Sequence, residues 1–320
     1  MSDVADWWKT SIIDMEPGRI ELRGNPIQDL IGNISFPDMI WVMVRGDRPT
    51  EAQLKLFEAA LVSAVDHGPQ APSIAAARMA VTCGLPLNNA MASAVNMLGD
   101  VHGGAGEQAV ELFHFVMAYD GPVSDALGAW KDARGKIIPG FGHRFHKPTD
   151  PRAPRLMELV DHSVSQGACD GKFAQIAQEI EAVLREEKSV SIPMNIDGAT
   201  AVIYAELGFA PPLARGLFCL SRSVGILAHS WEQMNQGGRN KGPTPPQYST
   251  APKPAKVPKP QSDPAITRSA PTISTKRSMR WATRSGCSTK FVVVSTTPGT
   301  NTLSSGISFL RSLKTLHSCP

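Results

Sequence analysis

The chain has no apolar run long enough to cross a bilayer. Its longest stretches, such as Met39–Val44 and Leu217–Leu220, fall far short of the ~20 residues that a spanning helix requires. A basic opening is missing as well: Met1-Ser-Asp-Val-Ala-Asp-Trp-Trp carries acidic residues where a secretory leader would be basic, so a cytoplasmic protein is expected. Paired cysteines are also lacking. The five present, Cys83, Cys169, Cys219, Cys287 and Cys319, are scattered singly, which argues against a disulfide framework and against a structural zinc site. Cys83 and Cys219 lie in apolar runs and read as buried thiols rather than nucleophiles.

Positive charge is scarce in most of the chain, although the formal net charge is +3. Of the 32 Lys and Arg residues, 11 follow Ser249, where Asp263 is the only acid. Residues 1–248 therefore hold 21 basic against 28 acidic side chains, a net of −7. An acidic body of that kind does not suit nucleic-acid binding.

With 320 residues and 42% apolar content, the chain can form a substantial core. Arg19-Ile-Glu-Leu-Arg follows Pro17-Gly18 and alternates polar with apolar, which predicts one small strand after a turn. Nearly everything beyond it is helical in pattern. Thr50 and Gln53 make a capping box, followed by Leu54, Phe57, Leu61 and Val65 on one face. Phe173, Ile176, Ile180, Val183 and Leu184 repeat that spacing, and Gly and Pro punctuate the intervals. The pattern predicts an all-α body of roughly ten helices of 8–20 residues.

From Pro243 the composition changes to Pro-Thr-Pro-Pro, Pro-Lys-Pro-Ala-Lys-Val-Pro-Lys-Pro and Ser/Thr-rich stretches. Such a segment buries too little apolar surface to offset chain entropy. Residues 248–320 are therefore expected to be a disordered basic tail, and residues 1–247 the working domain. The tail could bind an acidic partner or have no selected role, and its composition favours the second.

Three polar clusters interrupt the helical background. In Asp100-Val-His102-Gly-Gly-Ala-Gly-Glu-Gln the glycines allow close backbone approach, and a helix is expected from about Gly106. His102 at that helix N-terminus would stay neutral and could donate a hydrogen bond to a developing enolate; it could equally be a simple turn histidine. Pro139-Gly-Phe-Gly-His143-Arg144-Phe-His146-Lys147-Pro-Thr-Asp150-Pro151-Arg152 gathers basic and imidazole groups on a Gly/Pro-rich loop. Asp150 and Pro151 are expected as N-cap and first residue of a helix, aiming Arg152 and free amides at an anion; a solvated basic loop is the plainer alternative. In Asn195-Ile-Asp197-Gly198 the aspartate by itself reads most simply as an N-cap. Arg222 lies in the middle of the apolar stretch Leu213–Trp231, and a buried guanidinium needs either an internal carboxylate or a substrate carboxylate.

Together, His102-Gly-Gly-Ala, Gly140-Phe-Gly-His143-Arg with Asp150-Pro-Arg152, Asn195-Ile-Asp197 and Ser221-Arg222-Ser-Val-Gly resemble, in order and spacing, the citrate synthase family. Arg19–Thr50 resembles its N-terminal segment. Asp66-His67-Gly68-Pro69 and Asn195-Ile-Asp-Gly are similar to the citryl-CoA-cleaving module of ATP-citrate lyase. The resemblance covers about residues 10–246. It implies a multi-helical fold with large and small subdomains, a homodimer, and making or breaking of the carbon–carbon bond between acetyl-CoA and oxaloacetate, with citryl-CoA lyase chemistry as the alternative. A non-catalytic CoA-binding relative is the third possibility. It further implies that Asp197 takes a proton from the acetyl methyl, His102 hydrogen-bonds the enolate and His143 polarises the oxo-acid carbonyl. His67, Arg152 and Arg222 would hold carboxylates, and Lys147 a CoA phosphate. A coenzyme A thioester is the expected substrate, with no bound cofactor, metal, membrane or nucleic acid. The chain departs from the family at Gly242, where an arginine usually precedes the proline, and Arg239 and Lys241 are the nearby cations. Asn25 replaces a usual aromatic, the long N-terminal helical region of large citrate synthases is missing, and the tail has no counterpart.

Overall fold

The computed structural model describes residues 4–143, 146, 149–187 and 192–240. These all fall in one compact unit that extends from Met1 to Lys253. A short helix, α1 (Val4–Trp7), precedes three strands, β1 (Ile13–Glu16), β2 (Arg19–Leu22) and β3 (Asn25–Pro26), which form an antiparallel sheet in the order β1-β2-β3. The sequence predicts only the middle strand. The first, Ile13-Asp14-Met15-Glu16, alternates apolar with polar over only four residues and is exposed at every position, and the third is two residues long with a proline.

The rest is helical: α2 (Ile27–Leu30), α3 (Phe36–Arg45), α4 (Glu51–Ser63), α5 (Pro72–Thr82), α6 (Leu87–Val95), α7 (Ala105–Ala118), α8 (Val123–Arg134), α9 (Arg152–Ser165), α10 (Lys172–Glu187), α11 (Ile196–Glu206) and α12 (Pro211–Asn235). The expected all-α body is present, with ten helices of nine residues or more among the described residues. The last of these, at 25 residues, exceeds the expected length. Thr50 accepts from the Gln53 amide while the Gln53 side chain accepts from the Thr50 amide, completing the predicted capping box of α4. Phe57 and Leu61 of the predicted face are buried, with Leu56 and Ala60 beside them. Val65 of that set lies beyond the helix end.

At the centre is α11, buried at every position from Gly198 to Ala205. A helix apolar all round belongs inside a core, and α7, α4, α9 and α10 surround it. Beside it Trp41, Phe57, Tyr204 and Phe209 pack ring against ring, with Trp41 and Phe209 centroids 5.2 Å apart in an edge-to-face pair. Truncating one of these rings would cost about 3–5 kcal/mol. A second, smaller cluster joins Ala71, Ile74 and Ala77 of the α5 region to Ala94 and Ile226, where α5, α6 and α12 pack together. Among the described residues no helix is long and apolar enough to cross a membrane. The predicted tail lies outside the described residues.

Candidate active site

Two glycines bring distant segments of the chain into contact. Gly140 has φ +85°, and a Cβ there would stand 2.8 Å from the Gly198 Cα; one on Gly198 would collide with the Gly140 carbonyl. Only glycine at both positions allows this backbone approach. The Asn195 amide donates to the Gly140 carbonyl (2.9 Å), the Gly142 amide to Pro193 (2.7 Å), and the Asn195 side-chain amide to Gly142 (2.6 Å). This lacing holds the loop that carries His143, three residues after Gly140, against the start of the helix that carries Asp197, just before Gly198, and both residues line one cavity.

Asp197 is not the cap of its helix. Asn195 is, its side-chain oxygen accepting from the amides of Asp197 (2.9 Å) and Gly198 (3.2 Å). With the helix end satisfied by Asn195, the Asp197 carboxylate is left to face the cavity. Burial pushes its carboxyl above the usual carboxylate range, against the opposing pull of Arg222 and Arg152.

His102 precedes α7, as expected, but its ring is fixed by a different helix. The Ser73 amide in the first turn of α5 donates to Nε2 (3.1 Å), and the Ser73 hydroxyl lies 3.0 Å from the same nitrogen. With Nε2 accepting, the neutral ring carries its proton on Nδ1, which is its donor. Burial, then Arg222 and His67, hold His102 below the ordinary imidazole value. Gly104 allows the turn, since a Cβ there would run into the Asp100 backbone.

His67 and His143 face each other, Nε2 to Nε2, at 3.4 Å. The His146 amide donates to His143 Nδ1 (3.0 Å), which leaves the neutral His143 proton on Nε2, directed at His67. Both rings are held below the ordinary imidazole value, first by burial. Arg152 and Arg222 add to this at His67, and His146 at His143. His67, His143 and His146 together could also hold a metal ion, their ligand atoms lying within 4.8 Å of one another.

The two arginines differ. Arg152 donates through Nε (3.0 Å) and Nη2 (2.9 Å) to both oxygens of the buried Asp150, whose carboxylate also accepts the amides of Arg152 and Ile196. The sequence predicts Asp150 and Pro151 as N-cap and first helical residue. Helix α9 is bounded at Arg152 with Pro151, itself helical in φ and ψ, at the cap position, while Asp150 accepts the Arg152 amide as an N-cap does. The amide expected to be free for an anion is taken by Asp150, because a buried carboxylate needs donors more than an exposed loop does. Arg222, only 5% exposed, donates Nε to the Ala64 carbonyl (3.1 Å) and lies over the Phe218 ring at 4.8 Å. Among the described residues no carboxylate reaches ion-pair distance of it.

His67, His102, His143, Arg152, Asp197 and Arg222 line one open cavity of about 410 Å³, together with Ala64, Ala71, Phe218 and Asn195. That volume suits a small polyanion with part of a larger carrier. Lys147 and Arg144 lie outside the described residues. Sequence reasoning missed Ser73 and Asp150 as partners of the site, and took Asp197 rather than Asn195 for the cap. The Asn-x-Asp-Gly order held the signal for the last, since asparagine caps as well as aspartate does. Cys83 is exposed at the end of α5, not buried. Cys219 is half-buried, and burial raises its thiol, as it raises Cys169 to about 11, which suits neither for nucleophilic work.

The sequence matches the family model "Citrate synthase, C-terminal domain" over residues 2–64 and 53–243, and the chain belongs to the citrate synthase family. It is 35% identical over 212 residues to a citrate synthase of Heyndrickxia coagulans, covering 65% of this chain and 54% of that one. With a citrate synthase of Haloferax volcanii it shares 32% over 194 residues, 60% of this chain and 49% of the other. The chain spans about half the length of the curated relatives it matches. The structure is similar to that of a citryl-CoA lyase from Hydrogenobacter thermophilus, with a TM-score of 0.70 and 32% identity over 78% of this chain and 97% of that one. It also resembles a ternary complex of citrate synthase from Thermoplasma acidophilum with carboxymethyl coenzyme A and oxaloacetate, with a TM-score of 0.57 and 26% identity, covering 71% and 60%.

Proposed function

We propose that the protein is an enzyme that makes or breaks the carbon–carbon bond between acetyl-CoA and oxaloacetate through an enolate. The observation that carries this reading is the convergence on one cavity of a desolvated carboxylate, two neutral imidazoles and a buried arginine with no carboxylate at ion-pair distance among the described residues. A methyl beside a thioester is a poor carbon acid, so its deprotonation needs a positioned base together with preorganised stabilisation of the enolate. Asp197 takes the methyl proton, and the electron pair moves onto the thioester oxygen, which His102 stabilises by donating from Nδ1. The enolate carbon attacks the oxo-acid carbonyl, and His143 Nε2–H gives its proton to that oxygen. Arg222, with His67 and Arg152, holds the carboxylates. In the reverse direction the same groups exchange their proton roles, and a carboxyl raised by burial is suited to returning the proton to the enolate.

Coenzyme A is the acyl carrier in this reading, with Lys147 a candidate for a phosphate contact, and no bound cofactor is called for. The likeness to a citryl-CoA lyase over nearly all of that protein favours a reaction that stops at the carbon–carbon step, without thioester hydrolysis. Incubation with acetyl-CoA plus oxaloacetate, and separately with citryl-CoA, tests this directly. A lyase releases oxaloacetate from citryl-CoA without free thiol, whereas a synthase yields free thiol from the first mixture. Inactivity in both with folded protein would remove the enzyme reading and leave the CoA-binding relative.

A further inference from the structure

The long helix α12 grips the segment that carries His67 at four points. Ser221 Oγ donates to the Leu61 carbonyl (2.5 Å), and Arg222 Nε to the Ala64 carbonyl (3.1 Å). At Gly225 the helix backbone passes so near that a Cβ would collide with the Val65 carbonyl and stand 3.0 Å from Asp66 Oδ1. One turn further on, His229 Nε2 lies 3.3 Å from Asp66 Oδ2. Positions 221, 222, 225 and 229 share a helix face, and they meet residues 61, 64, 65 and 66 in order.

His229 is oriented in turn. Arg78 on α5 places Nη1 3.3 Å from His229 Nδ1, while the same arginine pairs with Glu232 (2.5 Å) and donates to Gln236 (2.9 Å). A guanidinium only donates, so Nδ1 accepts and the His229 proton sits on Nε2, directed at Asp66. The Asp66 carboxylate also accepts the Gly68 amide (3.2 Å), so it clasps the backbone across His67. Burial works to raise Asp66, but His229 and the amides of Gly68 and His67 outweigh it and hold the carboxyl low. Gly68, at φ +79°, allows the turn, and Gln70 donates to the His67 carbonyl (2.9 Å).

We propose that His229 is a positioning residue, acting through Asp66 to fix the turn that presents His67 to the cavity. It touches no substrate. The hydrogen-bonded series Arg78, His229, Asp66 and the backbone around His67 ties the ring's placement to α12, the helix that also supplies Arg222. The two groups read above as carboxylate contacts are thereby held as one unit, and the inference rests on that reading only for its functional consequence.

Imidazole NMR of the full chain tests the structural part without substrate. His229→Ala should shift the His67 ring signals while leaving those of His102 in place. His229→Gln, whose amide can still donate to Asp66, should return His67 toward its wild-type position. Unchanged His67 signals in His229→Ala would overturn the proposal, as would equal disturbance of His102 or failure of the glutamine variant to restore. Calorimetry with oxaloacetate and with coenzyme A then tests the consequence. His229→Ala should weaken oxaloacetate roughly tenfold, the scale of one lost hydrogen bond to a charged group, and leave coenzyme A within about twofold. In a His67→Asn background the substitution should add nothing further. A His67 that moves while oxaloacetate binding holds would keep the positioning role and refute the substrate role of His67.

Discussion

At Asp197 the capping duty and the chemical duty are held by different residues. Because Asn195 caps α11, Asp197→Asn should abolish turnover while the melting temperature stays within a degree or two of wild type, measured by assay and thermal scan. In Asp197→Ala, a loss of about 1 kcal/mol with activity kept would instead mark a capping residue. Arg222→Leu removes a buried cation with no carboxylate at ion-pair distance among the described residues, so the fold should hold. Oxaloacetate binding should weaken by ~2–5 kcal/mol, with little change for coenzyme A, as read by paired titrations. Earlier unfolding with normal oxaloacetate binding would contradict that placement. His143 and Arg222 stood out in the sequence because each sits in a Gly-rich or apolar context that a merely solvated residue does not need. The context of His102 suited a turn histidine equally and that of Asp197 a simple cap, so only the family resemblance pointed to these two. Ser73 and Asp150 did not stand out, since a backbone amide given to a distant histidine and a carboxylate turned back on its own loop leave no local pattern.

Among the elements, the helices with capping signals and 3.6-residue spacing were readable, α4 and α10 above all. The sheet edges were not picked out, because the alternation of β1 runs for only four residues and β3 is too short to show any. Nor was the close seat of α12, which depends on a missing Cβ. Gly225→Ala would usually favour a helix by about 1 kcal/mol. Here the new methyl meets the Val65 carbonyl, so a net destabilisation of ~1–3 kcal/mol is expected, with weakened oxaloacetate binding. Denaturant unfolding checks it, and a more stable variant would show that α12 is not seated this closely.

For the whole molecule, His67, His102 and His143 all titrate below their ordinary 6.5, chiefly through burial. As pH falls below 6.5 the unfolded chain takes up protons at these sites before the folded one does. Their contribution to stability is therefore full above that pH and is lost on acidification through the lower folded values. Asp197, raised from 3.8, has the opposite sign: its contribution is present below 3.8 and fades as pH rises through its folded value. The melting temperature should fall from pH 6.5 downward, and less steeply when the three histidines are replaced by asparagine. On α12, Leu213, Leu220, Val224, Leu227, Trp231 and Met234 are exposed at spacings of three, four and seven residues. This is the repeat of a helix seam, and we propose that a second copy covers it. Residues 1–247 alone should then elute as an active dimer by light scattering, and a fully active monomer would contradict this.

The most direct test of the central claim is citryl-CoA cleavage, followed as oxaloacetate release, by wild type and by Asp197→Asn side by side. Turnover by the wild type and none above background by the variant are expected, although both bind coenzyme A alike and melt alike. Equal release by the two proteins would contradict it.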